Sequence, residues 1–363
     1  MTPPLLIGTR KGLFILEMAA DGHWLPRQHA FAGVPVSITA LDPRDRTLYA
    51  GLAHGHFGVK LHRSSDMGAT WTELPAPAFP AGFPADEAGG TAPAVSLLWA
   101  LEPGGAAGEL WAGTIPGALF HSTDHGGHWR LVESLWQQEL RRLWFGGGYD
   151  APGIHSILLD PADPQRMVVG VSCGGVWLSP DAGRQWEIGG EGLVAQYMPE
   201  QRRQDLAVQD PHRLARCLAA PERIWMQHHS GVFRSDDAGR TWVQLHGLPQ
   251  SDFGFAVAAH PTDPDVAWFV PAESDEVRIP RQGQLCVTRT SDGGKSFERF
   301  DAGLPPPPAF DLIYRHGLAA APDGTHLAMG STTGGLWTSA DAGESWRLAN
   351  ARLPPIASVQ FAA

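Results

Sequence analysis

Three histidines, His155, His212 and His316, stand at matching distances ahead of proline-containing turns. Pro164 and Pro221 lie nine residues after the first two, and Pro322 lies six after the third, as Pro161 does after His155. Only 16 of the 363 residues are histidine, so three at corresponding points exceeds what composition supplies. Three imidazoles converging on one point could hold zinc, iron or copper and leave a position open for water or substrate. Without a metal, the same rings could move protons, bind a ligand or bond to neighbouring loop carbonyls. Glu273 directly follows an apolar segment and is the best-held carboxylate of its loop. It suits a fourth ligand, a general base or an orienting group.

These residues need elements to bring them together, and the chain writes one element repeatedly. The phrases "SSDMGATW", "STDHGGHW", "SPDAGRQW", "SDDAGRTW", "TSDGGKSF" and "SADAGESW" centre on Asp66, Asp124, Asp181, Asp237, Asp292 and Asp341, with a worn copy at Asp21. The spacings are 58, 57, 56, 55 and 49 residues, a period suited to propeller blades. Each copy follows a short apolar stretch that usually opens with Gly, such as "GALFHS" or "GGVWLS", itself preceded by "LWAGT" or "MVVGVS". An alternating segment ending in a Pro-rich turn, such as "SITALDP" or "HSILLDP", comes before that. With the strand after the Trp, each repeat holds four short strands. The chain starts at a second-type strand, "LLIGTRKGLFIL", and finishes on a lone first-type strand, "IASVQF". Joining the two completes a blade. The sequence therefore predicts an all-β, seven-bladed β-propeller of four-stranded blades spanning 1–363, closed by the C-terminal strand on the N-terminal blade.

That register names the groups at one mouth of the propeller. Ser37, Leu97, His155, His212, Phe255 and His316 fall at equivalent starts of six innermost strands. Loops between second and third strands contribute Arg10 and Lys11, His54 and His56, Gln227 with His228 and His229, and a long sixth-blade loop with Glu273, Asp275, Glu276 and Arg278. Tyr314 and Arg315 lead into His316. Two long insertions, about 134–154 and 192–212, read as lids or binding walls; the first carries Trp144, Tyr149 and Asp150. "FGGGY" lacks the strand–turn–helix setting of a phosphate loop.

The repeated phrase resembles the Asp-box, or BNR repeat, found in sialidases, sortilin-type receptors, some glucanases and photosystem assembly factors. The resemblance covers nearly the whole chain and extends to bacterial proteins loosely named exo-alpha-sialidases or BNR-repeat glycosyl hydrolases. It implies that the six aspartates hold turns on the face opposite the active site, so they are scaffold and not catalysts. A sialidase also needs three arginines around a carboxylate, a Tyr–Glu pair and an Asp acid/base. Arg10, Arg213, Arg278, Arg315, Tyr314 and Glu273 are available for such roles. However, the Arg-Ile-Pro motif of sialidases is missing from the first blade, which reads "GTRKG", and seven blades replace the usual six. The pattern therefore argues against a true sialidase.

Three functions stay open. The first is a hydrolase or lyase acting on a small or carbohydrate-like ligand in a His-lined funnel, with or without one divalent metal on His155, His212 and His316. There Glu273 would handle protons, and Arg278 or Arg315 would neutralise an anionic substrate. The second is a metal-independent glycosidase, which needs two suitably spaced carboxylates. The third is a non-catalytic binding or assembly propeller with a protein partner on a rim. In any of these, Arg10, Lys11, Trp144, Tyr149, Gln227, His228, Arg278, Tyr314 and Arg315 are the expected ligand-facing residues.

Composition narrows the partners. A net charge of −11 argues against nucleic acid and against an anionic membrane surface. Hydrophobic residues at 43% supply a core, while 43 Gly, 31 Pro and 14 Trp suit many short strands and tight turns. Cys173, Cys217 and Cys286 are isolated, with no CxxC pair, so neither a disulfide framework nor a zinc knuckle is legible. The N-terminus shows no signal-peptide pattern, and no apolar run approaches the roughly 18 residues of a membrane helix. A cytoplasmic location is the expectation.

Overall fold

In the computed structural model, residues 2–84 and 91–363 are described. Seven four-stranded antiparallel sheets follow one another around a central axis. The first blade takes its innermost strand from the other end of the chain: Ile356–Phe361 pairs with Leu5–Thr9, matching Leu5 to Phe361 and Ile7 to Val359. The other innermost strands are Val36–Leu41, Leu97–Pro103, Gly153–Leu159, Pro211–Arg216, Gly254–Ala259 and Leu318–Ala320. Second strands such as Leu5–Thr9, Leu110–Ile115 and Met167–Ser172 are buried along their whole length, which is why they read as continuous apolar runs. Outermost strands such as Arg130–Leu131 and Glu298–Phe300 face solvent and are short and polar.

The repeated turn joins the third and fourth strands. In the second blade Ser64 Oγ donates to Asp66 Oδ1 (2.7 Å) and receives the Gly68 N–H (2.8 Å), while Asp66 Oδ1 accepts the Thr70 N–H (2.9 Å). The Trp71 indole N–H closes back on Gly68 O (3.1 Å). The same Ser/Thr–Asp–Gly bonds recur at Asp124, Asp181, Asp237, Asp292 and Asp341. Two consecutive residues take left-handed backbone here, Met67 (φ 54°) before Gly68 (φ 88°), and only the second needs glycine. A Cβ on Gly68 would lie 2.5 Å from Ile15 Cδ1 of the preceding blade, so this glycine also sets the distance between blades.

A second regularity sits at the opposite end of the innermost strands. Each of six carries a one-residue β-bulge near its start, at Ala357, Ser37, Trp99, His155, His212 and Phe255–Ala256. The matching residue of the third blade is therefore Trp99, two positions after the expected Leu97. These bulged side chains lace neighbouring blades. Ser37 Oγ donates to Leu98 O (2.7 Å), His155 Nε2 to Pro211 O (2.7 Å) and His212 Nδ1 to Gly254 O (2.6 Å). In each case the acceptor is the residue just before the bulge of the next blade.

Candidate functional site at the mouth of the central channel

Lacing explains the histidine coincidence and corrects the expected metal site. His155 is fully engaged: Nε2 donates to Pro211 O, and Nδ1 accepts from Ser156 Oγ at 2.9 Å. His316 crosses toward the fourth blade, where its Nε2 donates to His155 O (2.9 Å). The rings of His155, His212 and His316 point to separate carbonyls and do not converge on a common ion. Burial pushes the pKa of all three down, while at His212 the neighbouring Asp210 pulls the other way.

His212 alone has a second role. Its Nε2 lies 3.3 Å from Oδ2 of Asp210, and Nδ1 of His229 lies 3.4 Å from the same oxygen. Among the described residues, Asp210, His212 and His229 form the one group of three or more His, Cys, Asp or Glu whose ligand atoms all lie within 4.8 Å of one another. Asp210 is held from behind, its Oδ1 accepting Ser172 Oγ–H and the Cys173 N–H at 3.0 Å each. Burial opposes its charge, but His212, His229 and Arg315 together outweigh burial and hold the carboxyl well below the usual range. Cys173 is buried, and burial raises its thiol, with Asp210 adding to the shift, so it is not a thiolate.

Arg315 completes the mouth. Its guanidinium carbon lies 4.9 Å from the Trp99 ring centre and 5.5 Å from that of Phe255. The residue is only 8% exposed, its Nε is buried without a partner, and no acceptor pairs with its guanidinium among the described residues. Burial lowers its pKa, and Asp210 is the main charge that opposes the shift. Phe253 and Phe255 pack on the His212 ring (5.6 and 4.7 Å). Outside this layer, half-exposed Tyr149 meets Trp99 edge-on at 5.2 Å, and Arg278 Nη1 reaches Tyr314 Oη at 3.4 Å.

Several expected ligand-facing residues have other duties. Glu273 accepts an Arg281 guanidinium and the Gln282 N–H (2.9 Å), so it pins its own loop instead of standing free as a base. Trp144 is buried against Trp177 (ring centres 5.7 Å apart) and presents no face to a ligand. Gln227 is buried and donates to Asp252 O (2.9 Å). His228 is completely buried, with the Asp210 N–H 3.0 Å from its Nε2. Arg10 and Lys11 are exposed on the first blade's hairpin, where their backbone contacts are with Pro355 and Gly33. The two long insertions pack closely: the first buries Leu135 and Trp136 in a one-turn helix (Glu133–Trp136), and the second buries Ala207 and Val208.

Sequence reasoning missed Asp210 and Trp99, and it placed His229 at the mouth beside His228 without giving it a role. Asp210 stands two residues before His212 in "QDPHR", and that local spacing was the available signal. His228 is the last residue of the strand Ile224–His228 and is buried, whereas His229 opens the turn that follows and is less buried. A separate depression on the second blade lies between Phe31, Leu52, His54, Phe57, Lys60 and Glu73, away from this cluster.

Fold and site together define a seven-bladed β-propeller with a buried, polar, aromatic-walled site where its central channel opens. No protein-family model matches the chain. It is 24% identical over 351 residues to the oligoxyloglucan-reducing end-specific xyloglucanase of Emericella nidulans, an alignment covering 88% of this chain and 38% of that enzyme. The chain thus spans under two-fifths of that relative's length. Among solved structures it resembles the GH74 xyloglucanase from Xanthomonas campestris (TM-score 0.68, 20% identity, 96% of this chain and 53% of that one). It also resembles YCF48 from Cyanidioschyzon merolae (TM-score 0.55, 15% identity, 94% of each chain). At these identities the structural likenesses show the fold.

Proposed function

We propose that this propeller is a hydrolase or lyase that takes a small, carbohydrate-like molecule bearing an anionic group at the channel mouth. One observation carries the reading: Arg315 is a buried guanidinium, flanked by two aromatic rings, that lacks an acceptor among the described residues. A buried cation without a partner is costly, and a carboxylate or phosphate on a ligand would supply the missing acceptor in the forked geometry arginine prefers. Trp99, Phe255 and Tyr149 offer ring faces and edges for the apolar side of a sugar. The similarity to xyloglucanases supports a carbohydrate ligand. The Asp210–His212–His229 cluster beside the guanidinium provides the groups able to act on that ligand.

The test compares uronic and aldonic acids with neutral xyloglucan oligosaccharides by calorimetry and thermal shift, with chelator present throughout. Acidic sugars should bind and neutral ones should not. Arg315→Gln should weaken binding about 10- to 100-fold, the range for a hydrogen bond to a charged group, with Arg315→Lys intermediate. Binding of neutral sugars that ignores Arg315→Gln would overturn the anion assignment. A folded protein that binds none of these sugars would overturn the carbohydrate one.

A further inference from the structure

The histidine that laces the fifth blade to the sixth leaves a chemical problem at its other nitrogen. Gly254 O can only accept, so at 2.6 Å the Nδ1 of His212 must carry the ring proton. The neutral ring then turns a lone pair from Nε2 toward Asp210 Oδ2, another acceptor, at 3.3 Å. Nδ1 of His229 faces the same oxygen at 3.4 Å. The other oxygen of Asp210 is already occupied by Ser172 and Cys173. A metal ion instead uses the lone pairs of all three groups at once.

We propose that Asp210 Oδ2, His212 Nε2 and His229 Nδ1 bind one divalent transition-metal ion. Metal–nitrogen and metal–oxygen bonds of about 2.0–2.1 Å in a tetrahedron put ligand atoms about 3.3–3.4 Å apart. The two separations from Asp210 Oδ2 match that edge. Each ligand also has the outer partner that fixes metal-binding side chains. His212 has Gly254 O, Asp210 has Ser172 and the Cys173 N–H, and His229 has Asp275, whose Oδ2 lies 3.8 Å from its Nε2. Two imidazoles and one carboxylate suit zinc or ferrous iron, and three protein ligands leave a position for water or ligand. His229 is the least buried of the three and opens that position toward the mouth. The inference does not rest on the anionic-sugar reading, because the ion is held by protein groups alone.

The decisive experiment uses the untagged full chain, stripped with chelator and dialysed. It is titrated with Co²⁺ while visible absorption is followed, then with Zn²⁺ in competition. One equivalent of Co²⁺ should bind with ligand-field bands of a four- or five-coordinate site, and one equivalent of Zn²⁺ should displace it. His229→Gln and Asp210→Asn should each bind Co²⁺ at least about 100-fold more weakly, given that even outer partners are worth 10- to 100-fold. His316→Gln should keep one equivalent. His229 is half-buried, so its variant is expected to fold; circular dichroism and melting confirm this before titration. Wild-type protein that is folded and takes up no stoichiometric Co²⁺, Zn²⁺, Fe²⁺ or Mn²⁺ overturns the site, as does uptake unchanged in folded His229→Gln. Either failure leaves the sugar-acid measurements, made in chelator, standing separately.

Discussion

At Glu102, on the innermost strand of the third blade, burial pushes a carboxyl up to about 7 against the pull of Arg213 across the channel. In an unfolded chain glutamate titrates near about 4.3. Between those values the folded protein holds more protons than the unfolded one, so stability falls as pH rises from about 4.3 through about 7. Glu102→Gln should remove that fall. Urea midpoints measured from pH 4 to 8 should show the variant gaining on wild type as pH rises, by no more than about 4 kcal/mol. A constant difference across that range would show that the carboxyl stays ionised in the fold. In the repeated turn, Asp66 shifts the opposite way. Hydrogen bonds from Thr70 and Ser64 hold Asp66 at about 2, so its contribution is present above about 3.9 and is lost as pH falls toward 2. The same residue type or position can thus carry different loads. His155 and His212 occupy one bulge position, yet the first has both nitrogens spent on the scaffold and the second keeps one facing Asp210.

At the scale of the element, the long sixth-blade loop shows how a charged residue becomes structural. Glu273 binds Arg281 and the Gln282 N–H, closing a loop that carries Arg278 and Asp275 to the mouth. Glu273→Gln keeps one hydrogen bond and loses the ion pair. It should speed proteolysis and amide exchange between residues 274 and 284, while the affinity for an acidic sugar falls no more than about 5-fold, as for a half-exposed pair worth roughly 1 kcal/mol. Complete loss of turnover with the loop still protected would restore Glu273 as a proton-transfer group. The strands themselves were legible, because the turn phrase and the two-residue alternation are local. The bulges were not. A bulge is a property of two strands paired out of step, so counting along one strand misplaced Trp99 at Leu97. A strand end likewise separates buried His228 from His229, which stands in the turn at the site. Glu273 was misjudged for a related reason: Arg281 is near in sequence, but nothing in the spacing says that the loop folds back on itself.

At the scale of the whole molecule, the aromatic and guanidinium walls reach the cluster only because the ring closes. Asp210, His212 and His229 belong to the fifth blade, Trp99 to the third and Arg315 to the seventh, and the meeting of these blades is set by blade number and twist, which no local pattern encodes. Closure depends on the last strand. Ile356, Val359 and Phe361 are buried with Leu5, Ile7, Trp24 and Leu336, and the Val359 N–H donates to His316 O at 2.8 Å. Phe361→Ala alone should cost about 3–5 kcal/mol, a large share of the roughly 5–15 kcal/mol typical of a folded domain. Removing residues 356–363 leaves the wholly buried Leu5–Thr9 as an open edge, so that protein should aggregate and lose its ligand response. If adjacency in space is what matters, chain order should not. The Ala362 N–H already reaches Pro4 O at 2.8 Å, so a short glycine linker can join residue 363 to residue 2, with new ends opened between Pro355 and Ile356. The permuted protein should fold, melt within a few degrees of wild type and keep the Arg315-dependent response to sugar acids. A permutant as aggregated as the truncation would show that the strand must arrive last from a separate chain end, and that hairpin closure is not equivalent.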